Sequence, residues 1–230
     1  MAFTLDDFVP WGRSFAEYAA MFALTEEDLA GRIVGCADGP AGFNAEATGR
    51  GAQVVSCDPI YRFSREELAV RIETARESVL EEAERNASEF VWTTIRSVEE
   101  LGRVRMAAMD TFLRDFDAGK EQGRYVDATL PDLPFPRQAF DLALCSHFLF
   151  SYSRQLSLDF HVAAVTEMCR VAREARLFPL LALGSVPSPH VEPLRAELMA
   201  KGLDVSIEKV DYEFQKGGNR MMRVRLVAVD

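Results

Sequence analysis

Residues 32–61, RIVGCADGPAGFNAEATGRGAQVVSCDPIY, decide the fold class. The segment reads as an apolar strand (RIVGC), a glycine-bearing turn (ADGPAG), a short helix (FNAEATGRG) and a second strand (AQVVSCDP) that ends in Asp58. Gly35, Gly39 and Gly42 fall in or beside the turn. Glycine has no Cβ and tolerates positive φ, so a ligand can approach backbone amides at the start of the helix. Asp58 stands at the tip of the second strand, about 20 residues further on, where an acid accepts hydrogen bonds from two ribose hydroxyls. Together, turn and acid imply a nucleoside-containing ligand without saying which one.

The flanking sequence extends the alternation. Phe15, Tyr18, Ala19 and Phe22 recur at helical spacing, and Thr25 with Asp28 fits the cap of a following turn. Residues 64–123 read as long charged helices. Ser64 with Glu67 and Ser97 with Glu100 fit capping boxes, while Leu68, Ile72, Ala75 and Val79 form one apolar stripe and Leu101, Val104, Ala108, Phe112 and Phe116 another. An ordinary connection is far shorter. This stretch is therefore expected as a helical insertion or cap after the second strand, within a single domain spanning 1–230, acting as a substrate lid, a packing surface or a dimer seam. Strands are expected at GRYVDA (123–128), FDLALCS (140–146) and RLFPLLALG (176–184), the last broken at Pro179. Helices are expected at 158–172 and 191–201. DVSIEKVDYEF (204–214) and MMRVRLVAVD (221–230) read as a closing hairpin joined by a tight QKGGNR turn. The order implies an α/β, doubly wound, Rossmann-like, mostly parallel seven-stranded sheet with an antiparallel last strand and its crevice at the carboxyl ends of the first strands.

With 48% hydrophobic and 27% charged residues, the chain of 230 can bury a core. Its net charge of −10 repels phosphate backbones, which disfavours nucleic acid as a partner. Arg62, Arg65, Arg71 and Arg76 are interleaved with glutamates and read as a solvated mixed-charge face. Cys36, Cys57, Cys145 and Cys169 match no metal-knuckle spacing, so buried thiols are expected and no metal site. The sequence shows no basic-then-apolar leader and no apolar run long enough for a bilayer, so a cytoplasmic location with no membrane partner is expected.

Four pieces of the chain resemble the class I S-adenosylmethionine-dependent methyltransferases: GCADGPAGF (35–43), VVSCDP (54–59), YVDATLPDLPFPRQAFDLALCSH (125–147) and the terminal hairpin. The resemblance covers most of residues 30–230 apart from the helical insertion. It implies S-adenosylmethionine as cofactor, with Gly39 and Gly42 bordering its methionine part and Asp58 on the ribose. Pro59 and Ile60 would lie on the adenine face, and Asp127 with the Ala128 backbone on the adenine amino group. Ser146 and His147 would reach toward methionine and acceptor. Gly35 stands where that family usually has an acid and Ala37 where it has its first glycine, so either Asp38 takes over the cofactor's ammonium group or binding is weakened. DPIYRFS, SHFLFSYS and VDYEFQKGGNRM further resemble an uncharacterised bacterial branch of the same methyltransferases, which supplies no acceptor.

Methyl transfer needs alignment, desolvation and sometimes a base. His147, with a reference pKa near neutrality, is the candidate base, set against a role in shaping the pocket only. Tyr152, Phe148, Phe150 and Tyr61 are candidates for an apolar acceptor wall, set against core packing, with Tyr152 the member expected to be exposed. Tyr212, Phe214 and the turn at Gly217, Gly218 and Asn219 are expected near the same crevice, and His161 is expected to be structural. Three functions stay open: a methyltransferase acting on an unidentified acceptor, expected to be a small molecule; a non-catalytic nucleoside-binding or protein-interaction module, with a homodimer left open; and an NAD(P)-dependent oxidoreductase. The last is weakened by the lack of G-x-G-x-x-G.

Overall fold

The computed structural model describes residues 9–226. Ser14 and Thr25 cap α1 (Phe15–Met21) and α2 (Glu26–Ala30), each in a reciprocal capping box. β1 (Arg32–Cys36), α3 (Phe43–Gly49) and β2 (Gln53–Cys57) then form where the apolar alternation and the glycines put them. A 3-10 turn, Pro59–Arg62, leads into α4 (Arg65–Arg85), followed by α5 (Val98–Glu121). α4 packs on α5, and α5 packs on α3, so the long helical stretch doubles as the crossover to β3 (Tyr125–Val126). β4 (Phe140–Ser146), α6 (Leu158–Val171) and β5 (Ala172–Phe178) continue the alternation. A small ribbon, β6 (Leu181–Ala182) with β7 (Val186–Pro187), precedes α7 (Val191–Ala200), β8 (Leu203–Lys209) and β9 (Arg220–Leu226).

The main sheet has seven strands in the order β3-β2-β1-β4-β5-β9-β8. β9 runs antiparallel to both neighbours, and the β3-β2-β1-β4-β5 run is parallel. The fold is therefore the α/β doubly wound sheet with an antiparallel last strand. The chain leaves β1 toward β2 and comes back to β4 on its other side, so the switch point lies between β1 and β4. In open α/β sheets the ligand crevice sits outside the carboxyl ends of the strands at such a point.

Strand alternation divides the core. Val34, Cys36, Ala143 and Cys145 face Val165, Met168, Leu194 and Leu198 of α6 and α7. Ile33, Leu142 and Leu144 face Phe15, Tyr18, Met21 and Phe43 of α1 and α3. All four cysteines are free and buried, and burial pushes the Cys57, Cys145 and Cys169 thiols up to about 12. At the opposite end of the sheet Arg176 pairs with Asp28 and Glu174, and Glu174 also with Arg223, which closes that rim with ions. Among the described residues no helix is long and apolar enough to cross a membrane, and no cluster of His, Cys, Asp and Glu could hold a metal.

Three details differ from the sequence reading. Ser97 caps α5, but Glu100 returns its carboxylate to the amide of Arg96, so the box there is incomplete. β5 begins at Ala172, directly after α6, and ends at Phe178 where Pro179 interrupts it. The closing hairpin is not tight: β8 stops at Lys209, paired with Arg220, and residues 210–219 form a long excursion in which Gln215 bridges to Phe90. Residues 227–230 of the expected last strand lie outside the described residues.

Candidate functional site

At the carboxyl ends of the parallel strands lies a cavity of about 370 Å³, within the usual range of small-molecule sites. Each strand delivers a segment to it: Ala37–Pro40 after β1, Asp58–Ile60 after β2, Ala128–Leu130 after β3, Ser146–Phe148 after β4 and Leu183 after β5. Residues 9–13 cover it from the amino-terminal side, and Phe214 and Gln215 reach it from the β8–β9 excursion.

The turn after β1 is shaped by two left-handed residues, Ala37 at φ 53° and Gly39 at φ 57°. Ala37 thus carries the conformation for which glycine is the unstrained choice. A Cβ built on Gly39 would meet nothing within 4 Å, so the space beside it is open. Gly35 is the converse: a Cβ there would collide with the Asp38 carboxylate. Asp38 therefore lies over Gly35 and supplies a carboxylate where a side chain from residue 35 would otherwise project. It accepts from Tyr18 Oη at 2.6 Å and Ser56 Oγ at 2.5 Å, and burial still leaves its pKa above the ordinary value.

Asp58 stands across the opening from Gly39. Its Oδ2 accepts from the Gly39 amide and its Oδ1 from the Ile60 amide, each at 2.9 Å. Burial pushes the carboxyl up to about 6 despite these two donors. Each oxygen keeps a lone pair for another donor. Pro59 and Ile60 line the cavity beside it, as do Ala128, Thr129 and Leu130 opposite.

Ser146 and His147 sit at the tip of β4. His147 is left-handed at φ 53°, its amide donates to the Phe178 carbonyl at 2.6 Å, and its Nδ1 lies 2.9 Å from Ser146 Oγ. Burial, then Arg13 and Arg105, hold the ring well below its ordinary pKa, so it is neutral at physiological pH. Phe148 and Tyr152 also line the cavity.

Several expectations need correction. Gly42 does not line the cavity: a Cβ there would lie 2.8 Å from the Ala108 carbonyl oxygen, so this glycine lets α5 approach α3. Asp127 is exposed and does not line the cavity, although its carboxylate is near enough to Asp58 to help raise that group's pKa. Tyr152 is buried and its hydroxyl accepts from the Val9 amide at 3.3 Å. Phe150 is core, while Tyr61 supports the turn from behind by donating to the Gly39 carbonyl at 2.7 Å. His161, by contrast, is structural as expected, its ring nitrogens 2.7 and 2.9 Å from the Ser157 and Leu149 carbonyl oxygens.

The sequence reading missed the charged floor of the site. Arg13 and Arg105 line the cavity, and Arg105, buried at 1% exposure, is bridged to Glu17 on α1 through Nη1. Tyr212 Oη donates to the same glutamate at 2.9 Å. Burial favours the neutral acid, yet the Arg105 guanidinium holds Glu17 down to about 2. The signal was present: Arg105 falls on the apolar stripe between Leu101 and Ala108, where a charge must have a buried partner.

No protein-family model matches the chain. Over 226 residues it is 33% identical to the uncharacterized protein MJ0045 of Methanocaldococcus jannaschii, covering 96% of this chain and 97% of that one. Among solved structures it is similar to magnesium protoporphyrin IX methyltransferase from Synechocystis PCC 6803 with bound SAM, at 10% identity and a TM-score of 0.49, covering 93% of this chain and 78% of that one. It is also similar to a SAM-dependent methyltransferase from Aquifex aeolicus, at 13% identity and a TM-score of 0.42, covering 91% and 87%.

Proposed function

The chain belongs to the family of the Methanocaldococcus jannaschii protein MJ0045, a premise that brings no chemistry with it, and we propose from the cavity that this member is an S-adenosylmethionine-dependent methyltransferase with a small-molecule acceptor. One observation carries the reading: the Asp58 carboxylate faces the open space beside Gly39, at the mouth of a cavity that continues into an apolar hollow. A ribose would donate its hydroxyls to Asp58, with the base between Ile60 and the Ala128–Leu130 segment. The methionine part would run past Gly39, its ammonium group drawn to Asp38. The cofactor supplies an activated methyl group, and this chain's residues bind, align and desolvate it.

His147, which lines the cavity, would receive a proton from the acceptor. Its Nε2 is basic in the tautomer in which Nδ1–H donates to Ser146 Oγ. A positioned base contributes on the order of 10²–10⁴ in rate. His147→Gln is expected to lower kcat by at least tenfold with the cofactor affinity within twofold of wild type, read from single-turnover rates beside calorimetry. Tyr152, already held by the Val9 amide, shapes the wall.

A dinucleotide fits less well. Its pyrophosphate would need the amino end of α3, and there Gly42 lies under the Ala108 carbonyl and donates its amide to the Arg13 carbonyl at 2.9 Å. Tyr212, at the charged floor, donates its hydroxyl to Glu17.

Calorimetry with S-adenosylmethionine, S-adenosylhomocysteine and NAD separates the readings. Binding of the first two without NAD is expected. Tight NAD binding alone, or no nucleoside binding at all, would overturn the proposal. Gly39→Ala supplies a steric control: the strain of φ 57° costs about 1–2 kcal/mol, and the new Cβ meets no protein atom within 4 Å. It fills the ligand's path, and S-adenosylhomocysteine affinity is expected to fall by more than tenfold.

A further inference from the structure

The cavity holds more positive charge than a nucleoside uses. Arg105 is almost completely buried, and the Nε atoms of Arg13 and Arg105 are enclosed without a hydrogen-bond partner among the described residues. Glu17 cannot serve both guanidinium groups. Its Oε1 already accepts from Arg105 and Tyr212, and its Oε2 from Arg105 and from the amide and hydroxyl of Ser14. Asp38 is engaged by Tyr18 and Ser56. Arg13 itself donates through Nη1 to the Trp11 carbonyl at 3.2 Å, and among the described residues no carboxylate lies within ion-pair distance of it. Two cations thus share one saturated anion at the floor of the cavity, beside a histidine held neutral. An uncompensated buried charge is costly, and a bound anion removes the cost.

The wall above these arginines has the opposite character. Val79 and Ala83 of α4, Leu101 of α5, Phe90, Leu183 and Phe214 line it. Phe90 stacks on Phe214 with ring centroids 4.9 Å apart, so the wall is built and not merely vacant. Arg105 lies one helical turn from Leu101, at the junction of the charged floor and the apolar wall.

We propose that the ligand taken beside the cofactor is an apolar monocarboxylic acid, its carboxylate held by Arg13 and Arg105 and its hydrocarbon or aryl body against the wall of Phe90, Leu101 and Phe214. The planar guanidinium fork matches a carboxylate in shape as well as charge. Only the naming of this ligand as methyl acceptor rests on the methyltransferase reading; the anion subsite rests on its own residues.

The test uses the intact protein and matched probes: octanoate with octanamide, and 4-phenylbutanoate with 4-phenylbutanamide, titrated calorimetrically with and without S-adenosylhomocysteine. Each acid is expected to bind at least tenfold more tightly than its amide. Arg13→Gln is expected to erase that preference to within twofold while its circular dichroism melt falls no lower than wild type and its affinity for S-adenosylhomocysteine stays as in wild type. Equal affinity for acid and amide, binding by neither, or a preference that survives Arg13→Gln overturns the proposal. It is also overturned if Arg13→Gln weakens S-adenosylhomocysteine and leaves 5′-methylthioadenosine, which lacks the amino-acid part, untouched, because the arginine then holds the cofactor's own carboxylate. An acid preference in a protein that binds no nucleoside supports the anion subsite and removes the methyltransferase reading instead.

Discussion

Asp58→Asn is expected to weaken S-adenosylhomocysteine binding by roughly ten- to hundredfold, or 1–3 kcal/mol, while the unliganded protein at pH 8 melts no lower than wild type. The two effects part because Asp58 is a costly residue in the empty site. Burial raises its pKa from 3.8 to about 6. A carboxyl with a raised native pKa binds more protons folded than unfolded between those values, so stability falls as pH rises from about 4 to about 6, by on the order of 3 kcal/mol in all. Asparagine removes that penalty, at the expense of one of the two amide bonds from Gly39 and Ile60. It keeps one acceptor but turns a donor toward the second amide, so the gain and the loss are of similar size. Ribose hydroxyls donate to the ionised form. Affinity in wild type is therefore full above about pH 6 and drops by up to tenfold per pH unit below it, whereas the asparagine variant shows no such step. Calorimetry from pH 5 to 8 reads both. A melting temperature that falls in step with the affinity would make Asp58 a support of the turn and not a ligand group.

The strands around this site were legible because their physics is local. RIVGC and QVVSC alternate toward two buried faces, and glycine and aspartate punctuate the turn between them, so β1, α3 and β2 could be placed from residues 32–61 alone. Asp58 follows from where a parallel strand ends, while Pro59 and Ile60 came from the resemblance. Asp38 was half legible: the resemblance, with an acid where Gly35 stands, implied it, but only packing shows that Gly35 must be bare for that carboxylate to lie over it. Gly42 misled because a glycine at a helix start serves a ligand and a neighbouring helix equally well, and α5 arrives from more than 60 positions along the chain. The hairpin misled for a related reason. VDYEF keeps the apolar alternation of a strand after Lys209, yet Phe214 leaves the sheet to stack on Phe90 and close the cavity.

Glu17→Ala is expected to destabilise the protein by about 3–5 kcal/mol, the range found when one partner of a buried ion pair is removed. For a chain of this size that is a fall in melting temperature of roughly 10 °C. The substitution leaves Arg105 inside the protein, 1% exposed, and takes the acceptor from Tyr212. An independent route gives a similar magnitude. Glu17 titrates near 2 against an ordinary 4.5, so its depressed pKa contributes about 3 kcal/mol, present above pH 4.5 and lost as pH falls toward 2. The acid limb of the stability profile should therefore flatten in the variant. Glu17→Leu combined with Arg105→Met should recover most of the loss, since an apolar pair avoids desolvating two ions. The single variant also separates a structural pair from one that borders a ligand site. With Glu17 gone, both arginines lack an anion, and added formate should raise the melting temperature of Glu17→Ala in a saturable way, and that of the double variant, which keeps only Arg13, by less. Recovery of neither protein by formate would show that the two guanidinium groups are closed to solutes and that Glu17 does no more than hold α1 to α5.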